Sequence, residues 1–75
     1  MEVFYEFCVQ NRYIGYIFIE EDGTVEFRIK KGKCACVYRL TAIDIQRCKD
    51  LPALMQHVTR WLEMSLKREE ARVRE

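Results

Sequence analysis

Apolar and polar residues alternate in four short segments along the first forty positions, which is the pattern of half-buried β-strands. The segments are EVFYEFCV at 2–9, YIGYIFIE at 13–20, TVEFRIK at 24–30 and KCACVYR at 33–39. Turn-forming pairs lie between them, and Asp22-Gly23 is the strongest because both central residues of a type I′ turn need a positive φ. The pattern therefore predicts a four-stranded antiparallel β-meander.

Loops of two residues would fix the strand register by counting, and directly paired residues share a face of the sheet. The count places Phe18 opposite Phe27 and Phe27 opposite Cys36. One face then collects the apolar residues Val3, Tyr5, Phe7, Val9, Ile14, Tyr16, Phe18, Val25, Phe27, Ile29, Cys34, Cys36 and Tyr38. A one-residue slip of any strand would break this agreement. We therefore expect this face to be the core face.

The second half of the chain predicts two helices. Thr41 can cap a short helix at 41–49, with Asp44 as its capping-box partner. A longer helix over 51–72 has Asp50 as its cap candidate. Its apolar residues recur at helical intervals and are Leu54, Met55, Val58, Trp61, Leu62 and Leu66.

The long amphipathic helix is the expected cover for the apolar sheet face, with Trp61 in the interface. Its polar last turns would overhang the sheet, and its last few residues would fray. The predicted fold is a single α+β domain over 1–75, with the meander at 1–40 packed on one face by the C-terminal helix.

The second face of the predicted sheet is partly apolar, although a solvated face should be polar nearly throughout. Its apolar members are Phe4, Ile17, Ile19, Ala35 and Val37, with Glu6, Glu26, Arg28 and Arg39 around them. Such a patch on a small protein indicates association, unless the short helix or the C-terminal tail covers it. The residues predicted to bind a protein are Phe4, Ile17, Ile19, Val37, Arg28 and Arg39.

The KKGK turn at 30–33 forms a basic cluster, which is either a solvated hairpin tip or a nucleic-acid contact. Proteins that bind single-stranded nucleic acid stack bases on exposed aromatic residues in a basic groove. The predicted register puts most aromatic residues on the core face, and this weakens the nucleic-acid interpretation. The candidate nucleic-acid-binding residues are Lys30, Lys31, Lys33, Arg39 and Lys49.

The four cysteines, at positions 8, 34, 36 and 48, match no usual zinc-binding spacing. Cys34 and Cys36 point the same way in a strand, and the C-x-x-C redox pattern is absent. We interpret them as small buried hydrophobes. His57 stands alone, and the three glycines are too dispersed for a phosphate loop. No catalytic residue, metal site or cofactor is predicted, and Gly15 in mid-strand indicates a bulge or a close backbone approach.

Composition narrows the class of protein. Thirteen Lys and Arg balance twelve Asp and Glu, giving a net charge of +1, which favours neither an acidic mimic nor a strongly basic nucleic-acid binder. No apolar run approaches the ~20 residues that span a bilayer. The N-terminus opens with an acid rather than a basic segment, so we expect no signal peptide and a cytoplasmic location.

These observations favour a small non-enzymatic protein-binding module, acting as an adaptor, an assembly factor or an inhibitor. Inhibitors of this size class include viral inhibitors of host systems. The expected partner is another protein or a second copy in a homodimer, held by the apolar outer face or the helix end. No membrane contact and no small-molecule substrate is predicted. The alternative is a nucleic-acid-binding module that uses the basic turn and the C-terminal basic residues.

Overall fold

The computed structural model describes residues 2–74, which form a three-stranded sheet and three helices. The elements are α1 (Glu2–Asn11), β1 (Ile14–Ile19), β2 (Val25–Lys31), β3 (Cys34–Leu40), α2 (Ala42–Arg47) and α3 (Leu51–Arg74). The strands are antiparallel in the order β1-β2-β3. The predicted α+β class with an antiparallel sheet and a C-terminal helix is confirmed. The predicted fourth strand is wrong, because the first segment is a helix.

Helix α1 forms because its apolar residues satisfy a helical period as well as an alternating one. Phe4, Phe7 and Cys8 recur at intervals of three and four and face the core, where Phe4 is fully buried. Val3 and Val9, which the predicted strand would have placed on the core face, are exposed. A segment of this length can therefore bury two aromatic rings as a helix without a neighbouring strand.

Arg12 ends α1 in the left-handed conformation, with φ 59°. Its N–H donates to the Val9 carbonyl at 3.2 Å, and the Tyr13 N–H donates to the Cys8 carbonyl at 2.8 Å. These two bonds form a Schellman motif, and the Tyr13 ring packs on Phe7 with centroids 5.4 Å apart. The chain thus turns directly from α1 into β1.

The predicted register of β1 is wrong by one residue. Ile17, not Phe18, lies opposite Phe27. The cause is the loop at residues 20–24, where the Glu20 N–H donates to the Thr24 carbonyl at 2.8 Å and Gly23 has φ 89°. This loop is longer than a two-residue turn, so β1 is turned over relative to the prediction.

The faces of β2 and β3 agree with the prediction, although the pairing is displaced. Lys31 lies opposite Cys34 across the turn, so Phe27 pairs with Tyr38 rather than with Cys36. A displacement by two residues keeps every side chain on its face. Cys34, Cys36 and Tyr38 therefore remain on the helix-covered side of the sheet.

The core lies between this inner face and two helices, α1 and α3. The buried apolar residues are Phe4, Cys8, Val25, Phe27, Ile29, Cys34, Leu40, Met55, Val58, Leu62 and Leu66. Phe4 of α1 packs on Phe27 of β2 with ring centroids 5.3 Å apart. Trp61 differs from the prediction: it is 43% exposed and contacts Tyr38 at the border of the core.

Helix α2 is held by its cap rather than by the core. Thr41 and Asp44 form the expected capping box, and no residue of α2 is buried. The following helix, α3, buries residues along one face from Met55 to Leu66 and is exposed at residues 51–53 and 71–73. Within residues 2–74, none of the helices combines the length and apolar character needed to cross a membrane.

Candidate binding face of the sheet

Nine residues on the side of the sheet away from the helices form three cross-strand rows, named here the outer sheet face. The rows are Ile14–Lys30–Ala35, Tyr16–Arg28–Val37 and Phe18–Glu26–Arg39. Every member except Glu26 is exposed. No helix or strand among residues 2–74 packs on this side. The arrangement places an apolar column on β1 beside a charged column on β2.

Two aromatic rings dominate the β1 column. Tyr16 is 48% exposed and Phe18 is 45% exposed, and their ring centroids lie 6.1 Å apart with planes inclined by 29°. The Arg28 guanidinium lies over the Phe18 ring, 5.0 Å from its centroid. A cation over an aromatic face is attracted by the ring quadrupole. The outer sheet face therefore presents an ordered aromatic pair with a fixed cation.

A shallow apolar concavity of about 380 Å³ lies on this face. It is lined on the outer sheet face by Tyr16, Phe18, Arg28, Lys30, Ala35 and Val37. Ala35 has only a methyl group and therefore leaves this space open. Its partner on β2 is the longer Lys30. The concavity has the size of a pocket that admits one or two side chains of a partner.

Glu26 orients the two arginines of the outer sheet face. Its carboxylate accepts from Arg28 Nε at 2.8 Å and lies 3.7 Å from Arg39 Nε. Arg39 also donates to Glu20 at 2.7 Å. Such exposed pairs contribute little to stability because water and salt screen them. Their consequence is geometric: both guanidiniums are held in place over the sheet.

Charge is divided between the two ends of the sheet. Lys30, Lys31 and Lys33 gather at the β2–β3 turn, while Glu20, Glu21 and Asp22 gather at the β1–β2 loop. Hydrogen bonds from the Thr24 backbone lower the pKa of Asp22 below its ordinary value, so this carboxylate stays ionised. The turn and the loop at the two ends of the sheet thus carry opposite charges.

The structure brings together part of the predicted protein-binding set. Val37, Arg28 and Arg39 lie on the outer sheet face. The predicted placement of three others on this face is wrong: Phe4 is in the core, Ile17 packs beneath the helices, and Ile19 is an exposed residue at the end of the inner face.

Tyr16, Phe18 and Ile14 were expected in the core and lie instead on the outer sheet face. The signal that could have identified them is the EEDGT loop at 20–24. Read as a loop of five residues rather than as a two-residue turn, it shifts β1 by one position and exchanges its two faces.

The candidate nucleic-acid-binding residues are not gathered into one surface. Lys30 lies on the outer sheet face and Lys33 in the turn, but Lys31 points to the helix side, where Nζ is 5.7 Å from the Tyr13 ring centroid. Arg39 lies toward the other end of β3, and Lys49 lies in the connection between α2 and α3. Only the Lys30 end of the proposed set borders the aromatic pair.

The cysteines form no metal site among residues 2–74, and no three His, Cys, Asp or Glu in that range could hold an ion. Cys8 of α1 is buried against Gly15 of β1, although the predicted strand would have placed it on the outer face with Phe4. Burial raises the pKa of the Cys8 thiol. Burial, with smaller effects of Glu69 and Cys34, also raises the pKa of Cys36. Thiols held in the neutral form are poor nucleophiles and poor ligands.

Comparison with known proteins gives no match to a family model, to a curated protein or to a solved structure. Fold analogy therefore carries no information about function for this chain. The outer sheet face, with its aromatic pair, its concavity and its two oriented arginines, is the feature from which a function can be argued.

Proposed function

We propose that the protein is a non-enzymatic binding module that recognises another protein through the outer sheet face, as an adaptor, an assembly factor or an inhibitor. The observation that carries this proposal is the exposure of Tyr16, Phe18 and Val37 around one apolar concavity, on a sheet face left open by the helices. Val37 is 40% exposed, close to the value of the two rings. Contiguous apolar surface of this kind marks an association site in small proteins.

The chemistry of the face supports a protein partner. Tyr and Arg are enriched at the energetic centres of protein interfaces, and Tyr16 and Arg28 are directly paired across β1 and β2. Aromatic side chains add large contact area at a small entropy cost, because few torsions become fixed on binding. Apolar area with charged residues beside it is typical of protein interfaces.

Preorganisation adds to this argument. Glu26 holds Arg28 and Arg39 over the sheet before any partner arrives. Binding then loses less side-chain entropy than it would with mobile arginines. Oriented guanidiniums can donate to a partner's carboxylates or carbonyls in a fixed geometry. We therefore expect specificity to depend on the Arg28–Glu26–Arg39 arrangement and affinity to depend on the two rings.

The proposed location is the cytoplasm. All four cysteines are free thiols, and two of them, Cys8 and Cys34, are buried. Free thiols persist in reducing compartments, where disulfides are rare.

The experiment that tests the protein-binding function compares two charge variants in affinity capture from a cell lysate treated with nuclease. Phe18→Glu places a charge on the outer sheet face, and Ile43→Glu places the same charge on exposed α2. Both should keep the native circular dichroism spectrum. Captured proteins should be lost with Phe18→Glu and retained with Ile43→Glu. Equal capture by both variants would contradict the proposal.

A second candidate function is binding of single-stranded nucleic acid. The observation that favours it is the exposed Tyr16–Phe18 pair with Arg28 over Phe18, because bases stack on such rings beside cations. Lys30 extends the basic surface from this pair toward the β2–β3 turn. The predicted register placed these rings in the core, which argued against the stacking of bases on them. In the observed register they lie on the outer sheet face, so that argument no longer applies.

Anisotropy of a labelled single-stranded oligonucleotide tests the second function. Binding should weaken steeply with salt, and Lys30→Glu with Lys33→Glu should weaken it further by removing phosphate contacts. The matched control is Lys49→Glu with Arg60→Glu, which reverses two exposed charges on other parts of the protein. Salt-insensitive binding, or equal losses in both variants, would exclude this function.

A further inference from the structure

We propose that the partner bound on the outer sheet face is an acidic peptide segment, in which an apolar side chain enters the concavity and neighbouring Asp or Glu residues bind Lys30 and Arg28. The inference rests on the proposed function, since it names the chemical class of the partner for the same face. Its basis is the charge around the concavity, which is of one sign.

Two cations and no carboxylate line the concavity. Lys30 and Arg28 are both exposed and lie on the same side of β2, where residues two positions apart are separated by about 7 Å. Both charges border the apolar surface that Tyr16 and Val37 contribute. The partner that fits this arrangement carries an apolar group with negative charge beside it, because like charges juxtaposed in an interface are strongly unfavourable.

The single carboxylate of the outer sheet face is already bound within the chain. Glu26 has a side chain that is only 12% exposed, accepts from Arg28 Nε at 2.8 Å and lies 3.7 Å from Arg39 Nε. Arg39 Nη2 also donates to Glu20 at 2.7 Å. Among residues 2–74, no carboxylate forms an ion pair with Lys30. The positive charge that lacks an internal partner is therefore concentrated at the concavity rather than at Arg39.

Arg28 is held in a position from which it can bind a carboxylate. Glu26 accepts from its Nε, and the guanidinium lies 5.0 Å from the centroid of the Phe18 ring. A guanidinium also has N–H donors on its two terminal nitrogens. The Arg28 side chain is 51% exposed, so donors remain for a partner. Arginine binds carboxylates with paired, charge-assisted hydrogen bonds, and a preoriented side chain loses less entropy on binding.

An acidic peptide fits the distribution of charge better than a nucleic-acid strand does. A nucleic-acid strand carries a phosphate at every nucleotide and binds most tightly where cations follow its path. Along β2, that path leads from Lys30 to the acidic β1–β2 loop with Glu20, Glu21 and Asp22, which would repel phosphates. Across the strands, each row of the outer sheet face contains only one cation. A short acidic peptide needs only the two cations at the concavity.

Selection of binders from a library of random linear peptides on the wild-type protein, with counter-selection on Phe18→Ala, tests the inference. The retained peptides should combine an aromatic or aliphatic residue with Asp or Glu close to it, and should be poor in Lys and Arg. Selection on Lys30→Glu should lose the acidic preference. Selection on Lys49→Glu should keep it, because this control makes the same change at an exposed lysine in the α2–α3 connection.

Anisotropy of one selected, labelled peptide measures the charge contact itself. Replacing its Asp and Glu by Asn and Gln should weaken binding at least about tenfold, and Lys30→Glu should weaken the original peptide by a similar factor. The two changes together should lose less than the product of their separate effects, because they remove the same contact. Circular dichroism checks that each protein variant keeps the native fold. Equal binding of the acidic and amide peptides, or equal losses in Lys30→Glu and Lys49→Glu, would overturn the inference.

Other occupants of the outer sheet face give different results in the same measurements. A single-stranded oligonucleotide that binds more tightly than the selected peptide, and loses more in Lys30→Glu, would overturn the inference in favour of nucleic acid. Self-association of the wild type that Phe18→Glu abolishes, with no peptide selected, would overturn it in favour of a second copy.

Failure of this inference is distinguishable from failure of the proposed function. Capture of a lysate protein that is lost in Phe18→Glu but unchanged in Lys30→Glu would overturn the acidic class of partner and leave the protein-binding function in place. A protein that captures nothing from the lysate and selects no peptide would overturn both.

Discussion

Gly15 of β1 lies directly beneath the Cys8 thiol of α1, so close that a β-carbon at position 15 would overlap the sulfur atom. The same β-carbon would come within 3.0 Å of Cε2 of Phe4. The helix can rest on the strand only because position 15 has no side chain. The close backbone approach expected for this glycine is therefore present.

Gly15→Ala should destabilise the protein by about 1–3 kcal/mol, since the added methyl group overpacks the contact between α1 and β1. Urea denaturation measures the free energy of unfolding. The double variant with Cys8→Ala should lose less than the sum of the two single changes, because removing the sulfur makes room for the methyl group.

Gly32→Ala is the control for this prediction. Position 32 has open space around it but a positive φ of 61°, so its cost comes from the backbone alone. Cys8→Ala should not relieve that cost. Strict additivity at Gly15 and Cys8 would show that α1 does not sit on Gly15.

Ile17→Glu and Phe18→Glu should differ sharply, although the residues are neighbours in β1. Ile17 packs against the core beneath the helices, whereas Phe18 lies on the outer sheet face. A carboxylate at position 17 would be partly buried without a partner, and we expect a loss of about 2–4 kcal/mol. Phe18→Glu should stay within about 1 kcal/mol of wild type, as surface changes do. Thermal melts check both, and the reverse order would restore the register predicted from two-residue turns.

Leu62→Ala should destabilise the protein more than Trp61→Ala. Leu62 is fully buried between α3 and the sheet, and truncating such a leucine costs about 2–5 kcal/mol. Trp61 keeps much of its surface in water and packs edge-on against Tyr38 with centroids 5.0 Å apart. We expect its removal to cost about 1–2 kcal/mol. Chemical denaturation of the two variants gives the comparison, and a larger loss at Trp61 would contradict the border position.

Acid should loosen α2 before it affects the rest of the protein. The Asp44 carboxylate accepts from the Thr41 N–H at 3.0 Å and from its hydroxyl at 2.9 Å, which lowers the pKa of Asp44 below its ordinary value. Because the pKa of Asp44 is lowered in the folded protein, its cap stabilises α2 fully at pH values above the ordinary pKa of aspartate. That stabilisation is lost as pH falls through the lowered value.

Amide hydrogen exchange at Thr41 and Asp44 measures this loss. The Asp44 N–H donates to the Thr41 hydroxyl, so its protection reports the intact capping box. Asp44→Asn should exchange faster at neutral pH and show no further change on acidification. The sheet and α3 should remain protected, because α2 contributes no buried residue. An Asp44 that titrates at its ordinary value would remove the basis for this prediction.

The strands show which part of a register can be predicted from sequence. The faces of β2 and β3 were predicted correctly because their predicted pairing was wrong by two residues. A displacement by an even number of residues leaves Cys36 on the same side of the sheet as Phe27. The predicted pairing of β1 was wrong by one residue, so Tyr16 and Ile17 lie on the opposite faces from those predicted. Hydrophobic alternation alone could not detect this, because both faces of β1 are apolar.

Residues 2–9 were predicted to form a strand because two periods fit them equally well. Val3 and Val9 support alternation, whereas Phe4, Phe7 and Cys8 support a helix. The choice between helix and strand depends on a tertiary contact, in which Phe4 and Cys8 pack closely against Gly15. The end of this helix could not be predicted from the sequence either, because the positive φ of Arg12 is uncommon for an arginine.

The long helix was predictable because its apolar period extends over many turns. Met55, Val58, Leu62 and Leu66 lie in the core as expected. The helical period identifies the residues at the centre of the buried stripe of α3. It does not identify the residues at the edge of the stripe, because that edge depends on the width of the sheet beneath the helix. Of the apolar residues predicted for the outer sheet face, only Ala35 and Val37 lie on it, and its aromatic members could not be identified without the correct register of β1.

The order of the elements also has a consequence for how the chain folds. Each strand pairs with the next one along the chain, so both hairpins close short loops, and short loops form quickly. Helix α1 is different, because part of its cover is α3, which follows the whole meander. During synthesis the apolar stripe of α1 is therefore covered only in part until α3 emerges. We expect chaperone contacts and aggregation in this protein to begin at α1, and docking of α3 to be the step that ends that exposure.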